Sequence, residues 1–399
     1  MSTKGLNILF TTAHFPYPLI GGDRIKSYNI IKHLAKKNKV YLVSFDRGLE
    51  IKEDYINELR KINVESFAFQ INKAKAYLSA GFFSPLGKPL EINYFRNGKF
   101  GKKVEQITSE NRIDLVISFF LRTAEYVKNF NCKKILLAED CRTLYQGRTY
   151  QATKNLREKT IRFYETHKMK KYEAGITRFF DITTLVTNED VKIMKSLNPK
   201  ADIRLLTNGV DTDKYVPSTE KNLKSTLLFT GKLDFWVNVL MVKKIVNDIF
   251  PGIKKKNPDA RLIIAGANPH KEILKCKSES IEIHSNVKDI IPYYQNASVF
   301  LHPHEGGSGI QNKIMEAMAC GCSVVTTKSG ARGIDIQNGA NGFIANNNND
   351  FIQYANTLLE DENLRAHIGS NARAYVKANH TWEAVFSVLD EIIEELIKN

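Results

Sequence analysis

The chain has 399 residues and a formal net charge of +15, with 43% hydrophobic and 25% charged residues. These proportions are typical of a globular protein of two or three domains, and they exclude a largely disordered chain and a polytopic membrane protein. No run approaches the roughly 18 uncharged apolar residues of a spanning helix, and the N-terminal stretch lacks the cleavage site of a signal peptide. Five cysteines, an odd number in a long chain, indicate reduced thiols and a cytoplasmic protein.

The excess positive charge lies entirely in the first half of the chain. Residues 1–200 contain 36 Lys and Arg against 20 Asp and Glu, whereas residues 201–399 contain 22 against 23. This distribution fits an anionic partner, which would be a nucleic acid, an anionic membrane surface or a phosphorylated substrate. It fits unselected surface charge equally well, because charge alone argues for association and not for an activity.

Short apolar runs alternate with helical stretches in two similar series, one in each half. Most runs are continuous, which is typical of parallel strands covered by helices on both faces. The predicted strands are 6–11, 40–45, 114–120, 133–139, 182–187 and 203–208, then 225–231, 260–266, 281–285, 298–303, 322–327 and 342–345. Helical spacing of apolar residues predicts helices over 23–37 and at the C-terminus. The sequence therefore predicts an α/β fold of two doubly wound, Rossmann-like domains whose ligand-binding edges face each other across a cleft.

A polar stretch around residue 215 contains one proline and no apolar periodicity, so it is the predicted domain boundary. The predicted parts are a first domain, a linker, a second domain and a terminal helix, at residues 1–214, 215–225, 226–380 and 381–399. Two basic, aromatic-rich segments, 67–103 and 142–171, depart from the regular pattern of the first domain. Each fits an interfacial membrane contact or an insertion packed against its own domain, and packing is the slightly better fit.

Two glycine-containing loops precede helices. Gly21 and Gly22 lie between the first strand and the first helix, where backbone amides and the helix N-terminus favour a negative charge such as a phosphate. The loop matches neither a G-x-G-x-x-G motif nor a P-loop, so dinucleotide binding and ATP hydrolysis lose support. Taken alone, the two glycines are better explained as a plain turn.

The second glycine loop, HEGGSGIQNK, is more specific, because it leads into a helix that carries Lys313 and Glu316. Lys313 can oppose the charge of a diphosphate, and the carboxylate of Glu316 can accept hydrogen bonds from both hydroxyls of a ribose. Glu316 can instead be a solvated helix residue. The small residues AMACG that follow it indicate tight packing on a sheet, which makes exposure the weaker alternative.

The arrangement GGSGIQNKIMEAMACGCSVVTT resembles the donor-binding signature of retaining glycosyltransferases with the GT-B fold, in glycosyltransferase family four. The resemblance extends over most of the chain, through HFPYPLIGGDRIKSYNIIKHLAK, LLTNGVDTDKYVP, LLFTGKLDF, NPDARLIIAGANP and HTWEAVFSVLDEIIEEL. It implies a hexosyltransferase that moves a sugar from a nucleoside-diphosphate sugar to an acceptor hydroxyl with retention, without a metal or other cofactor. It also implies a UDP-sugar, or alternatively a GDP-sugar, as the donor, and a terminal helix that packs back towards the first domain.

The resemblance implies a role for individual residues of both halves. Glu316 would bind the ribose, and Lys232 would neutralise the diphosphate. The backbone at Asn286 and Val287 would read the nucleotide base. The other donor-binding positions lie in the two glycine loops or just after the second one, and they are Gly21, Gly22, Ser308, Gly309, Ile310, Gln311 and Lys313. The candidates for a group near the reacting carbon are Asp140, His14 and Arg122.

Two positions depart from the family's pattern. Ser308 stands where the first glutamate of the E-x7-E motif is usual, which leaves the sugar unidentified, and Val237 stands where a second diphosphate-binding lysine is usual. A catalytically silent scaffold is therefore kept as an alternative, with a nucleotide-sugar epimerase as the same-fold alternative. A basic nucleic-acid-binding protein is the alternative from another class, but lysine predominates and no nucleic-acid module is recognisable, so we expect no nucleic acid.

Other residue combinations carry less weight. We expect His302 and His304 to point to opposite faces of an extended segment, so no metal site is predicted. Cys320 and Cys322 are best explained as buried small residues, and no nucleophile–base pair supports a hydrolase. The expected acceptor is a glycan or a lipid-linked intermediate of cell-envelope, exopolysaccharide or glycoconjugate synthesis. The basic half would contact the inner face of an anionic membrane.

Overall fold

The computed structural model describes residues 5–46, 51–84, 87–153, 155–218, 225–306 and 309–398. The chain forms two compact units. One consists of residues 1–207 and 385–399 with residues 307–309, and the other of residues 208–306 and 310–384. The division thus falls before the predicted boundary, and residues 219–224 of the predicted linker lie outside the described residues.

The first unit contains a parallel sheet with helices between its strands. The strands are β1 (Asn7–Thr12), β2 (Lys39–Asp46), β3 (Val64–Gln70), β4 (Leu115–Phe119), β5 (Lys133–Glu139), β6 (Ile182–Leu185) and β7 (Ile203–Leu205). The helices are α1 (Gly22–Ala35), α2 (Glu53–Arg60), α3 (Lys73–Phe83), α4 (Leu90–Tyr94), α5 (Gly98–Glu110), α6 (Leu121–Val127), α7 (Arg142–Ala152), α8 (Leu156–Ile176) and α9 (Asn188–Leu197), with a 3-10 turn at Thr177–Phe179. The strand order is β3-β2-β1-β4-β5-β6-β7.

The strands at the centre of this sheet match the continuous apolar runs of the sequence. β4 is buried at every residue, as expected for a strand covered on both faces. The pattern did not predict β3, because this edge strand alternates buried or half-buried residues with exposed ones and contains Glu65 and Ser66. Segment 67–103 is not irregular, since it contains the end of β3 and three helices, of which α5 packs into the core through Phe100 and Val104.

The second unit repeats the same plan. Its strands are β8 (Thr226–Lys232), β9 (Arg261–Ala267), β10 (Ile281–Ser285), β11 (Val299–His302), β12 (Ser323–Thr326) and β13 (Phe343–Ile344). Its helices are α10 (Trp236–Lys244), α11 (Phe250–Lys256), α12 (Lys271–Leu274), α13 (Ile291–Asn296), α14 (Asn312–Ala319), α15 (Asn348–Glu360) and α16 (Glu362–Asn379), and a π-helical turn, Ile245–Ile249, joins α10 to α11. The strand order is β10-β9-β8-β11-β12-β13, with every pair parallel. The prediction of two doubly wound α/β domains is confirmed.

The last helix, α17 (Trp382–Lys398), begins at the end of the second unit, and most of its residues group with the first. The ring of Phe386 stacks on His33 of α1 with centroids 4.2 Å apart, and His33 Nε2 lies 2.9 Å from Asp390 Oδ1. Arg204, in β7, pairs with Glu395 at 2.6 Å. Throughout the described part of the chain, none of the helices is both long enough and apolar enough to cross a membrane.

Candidate functional site

Doubly wound sheets bind ligands outside the carboxyl ends of their strands, at the point where the strand order reverses. In the second unit this point lies between β8 and β11. Strand β8 ends at Lys232, and the loop after β11 leads into α14, which carries Lys313 and Glu316. The topology therefore brings these three predicted donor-binding residues to one edge of one sheet.

The strand ends at this edge approach one another closely because two residues are glycines. Gly231 has a φ of +156°, and a Cβ atom there would lie 2.9 Å from Asn238 Nδ2 and 3.2 Å from Lys313 Nζ. Gly266, at the end of β9, has a φ of +158°, and its Cβ atom would lie 1.8 Å from the carbonyl oxygen of Gly231. A side chain at Gly231 or Gly266 would displace Lys313 or the neighbouring backbone. Glycine at both positions therefore permits this close approach.

Lys313 lies half-buried beside Gly231 in the first turn of α14. Its Nζ donates to Asn238 Oδ1 at 2.9 Å, and Asn238 in turn donates to the carbonyl oxygen of Lys232 at 2.8 Å. Burial lowers the pKa of Lys313 to about 8, although the negative charge of Glu316 opposes this shift. The site therefore holds a half-buried cation whose charged form is disfavoured by desolvation, and a diphosphate would stabilise that form.

Glu316 is held by a chain of hydrogen bonds from a neighbouring helix. Tyr294, in α13, donates to Glu316 Oε2 at 3.0 Å, and its hydroxyl also lies 2.7 Å from Thr230 Oγ1 in β8. Burial raises the pKa of Glu316, while the Tyr294 hydrogen bond and the charge of Lys313 oppose that rise. Glu316 is thus not a solvated helix residue. Within the described ranges its second oxygen, Oε1, accepts no hydrogen bond and is free to take a ligand hydroxyl.

Lys232 and Asn286 lie at the same edge in different surroundings. The Lys232 side chain is 61% exposed and lies 3.7 Å from Asp234 Oδ1. Asn286 follows β10 with a φ of 53°, donates its backbone N–H to the Gly266 carbonyl at 2.6 Å, and accepts from the backbone N–H of Asn268 at 2.8 Å. The Asn286 side chain therefore shapes the turn. The adjacent Val287 packs against the apolar core.

The glycine loop after β11 is described in part, since Ser308 and the preceding residue lie outside the described residues. Gly309 has a φ of +73°, Ile310 is half-buried against the core, and Gln311 is the residue that caps the start of α14 without a side-chain hydrogen bond. Beside the first part of this loop lies a cavity of about 320 Å³. Its polar lining comes from three loops and the end of α10, and includes Lys244, His304, Glu305, Gly306, Ser329 and Arg332.

The expectation that His302 and His304 point to opposite faces is wrong. Their rings stack with centroids 5.4 Å apart at an angle of 3°. Residues two apart on an extended segment share a face, so the side chains had to lie together. His302 is buried, its Nδ1 lies 3.2 Å from Thr326 Oγ1, and burial holds its pKa well below the usual range, as does the charge of Lys313.

The first unit has its own point of strand-order reversal, between β1 and β4. Gly21, with a φ of +101°, precedes α1, and Gly22 is the first helical residue. The His14 ring hydrogen-bonds the carboxylate of Asp23 in the first turn of α1. Burial would raise the pKa of Asp23, but the hydrogen bond and charge of His14 hold it below its ordinary value. The structure therefore brings His14 to the Gly21–Gly22 loop.

Asp140 and Arg122 belong to one ion-pair network in the first unit. Arg122 Nε lies 2.8 Å from Glu91 Oε1, and Arg142 binds Glu91 Oε2 through Nη2 at 2.9 Å. The other Arg142 nitrogen, Nη1, lies 3.2 Å from Asp140 Oδ2. Burial would raise the pKa of Glu91, yet the charges of Arg142 and Arg122 lower it to about 2. Arg122 is thus held by the carboxylate of Glu91. Asp140 is linked to the same carboxylate through Arg142.

Four polar residues that support the predicted site residues were not predicted from the sequence, namely Asn238, Thr230, Tyr294 and Glu91. Tyr294 occurs in the unremarkable run IPYYQN, and Glu91 was one carboxylate in a basic segment. Only the sheet order brings Tyr294 to Glu316 and Asn238 to Lys313. No motif in the sequence marks these contacts.

Residues 224–361 match the family model described as "Glycosyl transferases group 1". This match begins and ends within the second unit and covers about a third of the chain. The match includes β8, α13 and α14, and so contains the residues of the candidate site in this unit.

Two curated relatives extend the comparison. The chain is 23% identical over 398 residues to the "Uncharacterized 44.6 kDa protein in cps region" of Klebsiella pneumoniae, covering 95% of this chain and 98% of that protein. It is 29% identical over 217 residues to the N-acetylgalactosamine-N,N'-diacetylbacillosaminyl-diphospho-undecaprenol 4-alpha-N-acetylgalactosaminyltransferase of Campylobacter jejuni, covering 48% of this chain and 53% of that enzyme. The chain thus spans about half the length of the second relative.

Among solved structures, Anabaena HepE in complex with UDP and glucose superposes with a TM-score of 0.70 at 15% identity, covering 98% of this chain and 100% of that one. At this identity the likeness shows the fold alone, which is the GT-B fold. The group 1 glycosyltransferase match thus covers residues 224–361, and the GT-B fold extends over the chain.

Proposed function

We propose that the chain transfers a sugar from a nucleoside-diphosphate sugar to an acceptor hydroxyl in polysaccharide or glycoconjugate synthesis, with retention of configuration. The half-buried carboxylate of Glu316 carries this proposal. Tyr294 fixes one of its oxygens and leaves the other open at the edge of the sheet where ligands bind. A ribose offers two adjacent hydroxyls, which suit such a carboxylate. The comparison with HepE supports UDP as the nucleotide, and retention rests on the resemblance to family four.

Charge stabilisation at the leaving group would supply most of the catalysis. Cleavage of the bond between sugar and diphosphate leaves negative charge on the diphosphate, and fixed cations that oppose this charge lower the barrier. Lys313 is the fixed cation, because burial and Asn238 hold its ammonium in place. Lys232 is exposed and would move to the diphosphate when the donor binds. Neither role requires a metal.

The position of Lys313 bears on the missing second lysine of the family's diphosphate clamp. Val237 packs against the apolar core, so its position offers no cation. Lys313 Nζ lies next to Gly231, at the start of the loop where the clamp begins. Lys313 therefore replaces the missing lysine from a different helix, which argues against a silent scaffold.

The groups at the reacting carbon would come from the first unit. Asp140 is the candidate for a carboxylate near the sugar, held in place by Arg142. His14 and the Gly21–Gly22 loop would contact the donor together, because the Asp23 hydrogen bond joins them. Arg122 would act by positioning Glu91 and Arg142 rather than by touching the substrate.

Differential stabilisation by nucleotides tests the donor assignment. UDP, GDP, ADP, TDP and CMP are each added to the purified chain and to Glu316→Gln, and the melting temperature is measured. A ligand at 100 times its Kd adds about 2.7 kcal/mol of apparent stability. We expect one nucleoside diphosphate, UDP first, to stabilise the wild type and not the variant.

The matched control is Glu272→Gln, a surface carboxylate of α12 that pairs with lysines. It must keep the full nucleotide response. If nucleotides stabilise the wild type and Glu316→Gln equally, Glu316 does not bind the ribose. No stabilisation of the wild type by any nucleotide would contradict the donor proposal as a whole.

A further inference from the structure

Helix α3 of the first unit is packed with its small residues inward and its large apolar residues outward. The alanines Ala76 and Ala80 are buried, at 5% and 6% exposure. Tyr77, Leu78 and Phe82 are 69%, 73% and 72% exposed. A helix on a globular surface ordinarily turns its large apolar side chains to the core, so this arrangement needs another explanation.

The exposed side chains form a continuous stripe along α3. Exposed Ala74, Tyr77, Leu78, Gly81 and Phe82 follow the i, i+3, i+4, i+7, i+8 spacing of one helix face. Intramolecular contacts leave most of this stripe uncovered, although Tyr77 meets the ring of Tyr94 edge-on at 5.3 Å. The cost of exposing this much apolar surface indicates that something outside the chain covers it.

The charged residues of α3 itself are lysines. Residues 66–90 contain Lys73, Lys75 and Lys88, and the nearest carboxylates along the chain, Glu65 and Glu91, lie directly outside this range. A helix that combines aromatic and aliphatic side chains with flanking lysines is suited to the interface of an anionic lipid bilayer. A protein partner would need an apolar groove flanked by acidic residues to match this surface. An anionic lipid bilayer supplies both the apolar contact and the negative charge.

A cavity of about 500 Å³ adjoins the end of this helix. Its floor is apolar, from Phe83, Ile92, Phe95 and Tyr126, and its cations are Lys88, Arg96 and Arg122, with Glu125 as the carboxylate. Lys88 pairs with Glu125 and Arg122 with Glu91. The Arg96 guanidinium lies 3.9 Å above the ring of Phe83 and has no carboxylate partner among the described residues.

Stripe and cavity are continuous, because Phe82 and Phe83 are in edge-to-face contact at 5.0 Å and Phe83 lines the cavity. We propose that together they form one site for an anionic amphiphile, in which the α3 stripe enters the lipid surface and the cavity takes the phosphate-bearing head of a lipid-anchored acceptor. The proposed site implies that the acceptor is an anionic, lipid-anchored molecule. Only the role of that lipid as the acceptor rests on the proposed function.

Vesicle flotation tests the stripe without any glycosyl transfer. The full chain is mixed with phosphatidylcholine vesicles with and without phosphatidylglycerol, and the bound fraction is measured. We expect binding to the anionic vesicles that falls at least about tenfold in Leu78→Gln/Phe82→Gln, because both side chains leave the apolar interface. Both side chains are exposed, so the variant keeps its fold, and its melting temperature checks this.

The matched control is Leu240→Gln/Leu274→Gln, which removes two half-exposed leucines of the second unit. It must bind vesicles like the wild type. Equal binding of the α3 variant and the wild type would overturn the proposal. So would a wild-type dimer that α3 substitution dissociates without any vesicle binding, since the stripe would then cover a second copy.

The cavity is tested with soluble dihexanoylphosphatidic acid, followed by calorimetry, with inorganic phosphate and dihexanoylphosphatidylcholine as the comparison ligands. We expect binding of the phosphatidic acid that weakens at least about fivefold in Arg96→Gln. If inorganic phosphate binds as tightly as the phosphatidic acid, the cavity is a site for free phosphate. If the phosphatidylcholine binds as tightly as the phosphatidic acid, the cavity is an apolar pocket without preference for an anion. Either result would overturn the assignment to an anionic amphiphile. Because these measurements involve no donor, they can fail while the donor-binding test succeeds, and the reverse.

Discussion

At the edge of the first sheet, buried charges lie beside opposite charges. Lys26 Nζ lies 2.8 Å from Glu139 Oε1, and Glu91 is bound by both Arg122 and Arg142. At the edge of the second sheet, Lys313 and Glu316 are half-buried and influence each other's charge, but among the described residues each makes its hydrogen bond to a neutral side chain and not to an opposite charge. The first domain thus pairs its charges directly, whereas the second holds them through neutral side chains.

This difference distinguishes charged residues that stabilise the fold from charged residues that are available to bind a ligand. A compensated pair contributes structure and leaves little attraction for a third charge. An uncompensated buried charge costs stability, and the cost is recovered when a ligand of opposite charge or hydrogen-bonding capacity arrives. The second edge therefore has the character of a binding site, and the network around Glu91 has that of a structural scaffold within the first unit.

Breaking the scaffold network should give the largest loss of stability. Arg142→Met leaves Glu91 with one of its two cations, and we expect a loss of about 3 kcal/mol in the free energy of unfolding, measured by urea denaturation. The exposed pair Arg60–Glu53 provides the control, since Arg60→Gln should leave the urea midpoint almost unchanged.

The double variant Glu91→Gln/Arg142→Met sharpens this comparison. It removes the buried negative charge together with its partner, so much of the lost stability should return. A double variant as unstable as Arg142→Met would show that shape, and not charge compensation, accounts for the loss.

Removing the half-buried cation Lys313 should have the opposite effect on stability. We expect Lys313→Met to raise the free energy of unfolding by about 1–3 kcal/mol at neutral pH, because a buried ammonium with a lowered pKa is no longer desolvated. The same change should lower kcat by about 10²–10³, since a fixed cation at the leaving group is lost. Loss of stability together with loss of activity would mean that Lys313 is structural.

The fold was predictable because it depends on local patterns. The run ARLIIAG indicated a strand at 260–266, and the structure has Arg261–Ala267. Residues whose role depends on a contact between distant segments were not predictable, as with Asn238, which meets Lys313 only because β8 and β11 are neighbours. Glu316 could be singled out because it lies in a motif, whereas its partner Tyr294 does not.

The orientation of α3 shows a second limit of sequence patterns. The sequence KAKAYLSAGFF has apolar residues on nearly every side of a helix, so its spacing does not single out the face that is buried. In the structure the narrow alanine face packs inward, and the large side chains are exposed. Amphipathic spacing determines which residues share a face, but only packing partners determine which face is buried.

The titration of Lys313 links donor binding and stability with opposite signs. Its folded-state pKa of about 8 lies below the ordinary value of 10.5, so the folded chain releases this proton first as the pH rises. Below pH 8 the buried charge costs stability in full, and between about pH 8 and 10.5 that cost is relieved. Relative to Lys313→Met, wild-type stability should therefore rise over this window.

Nucleoside diphosphate affinity should fall over the same pH window, because the diphosphate requires the ammonium form. The limiting slope is about tenfold in Kd per pH unit, measured by calorimetry with UDP. Lys313→Met should show a flat profile. If the UDP affinity of the wild type varies with pH as little as that of the variant, Lys313 does not bind the diphosphate.

The exposed cation should give the smallest effect, and its pattern distinguishes it from Lys313. Lys232 is 61% exposed with only Asp234 nearby, so Lys232→Gln should leave both the melting temperature and its pH dependence unchanged. We expect donor affinity to fall about two- to fivefold, and the loss to shrink as salt is added, because a solvated charge is screened whereas buried Lys313 is not. Measuring UDP affinity at low and high salt for both variants separates the two lysines. A salt-insensitive loss in Lys232→Gln would mean that the donor buries Lys232 as well, so that the second edge completes its charge compensation only when the ligand is bound.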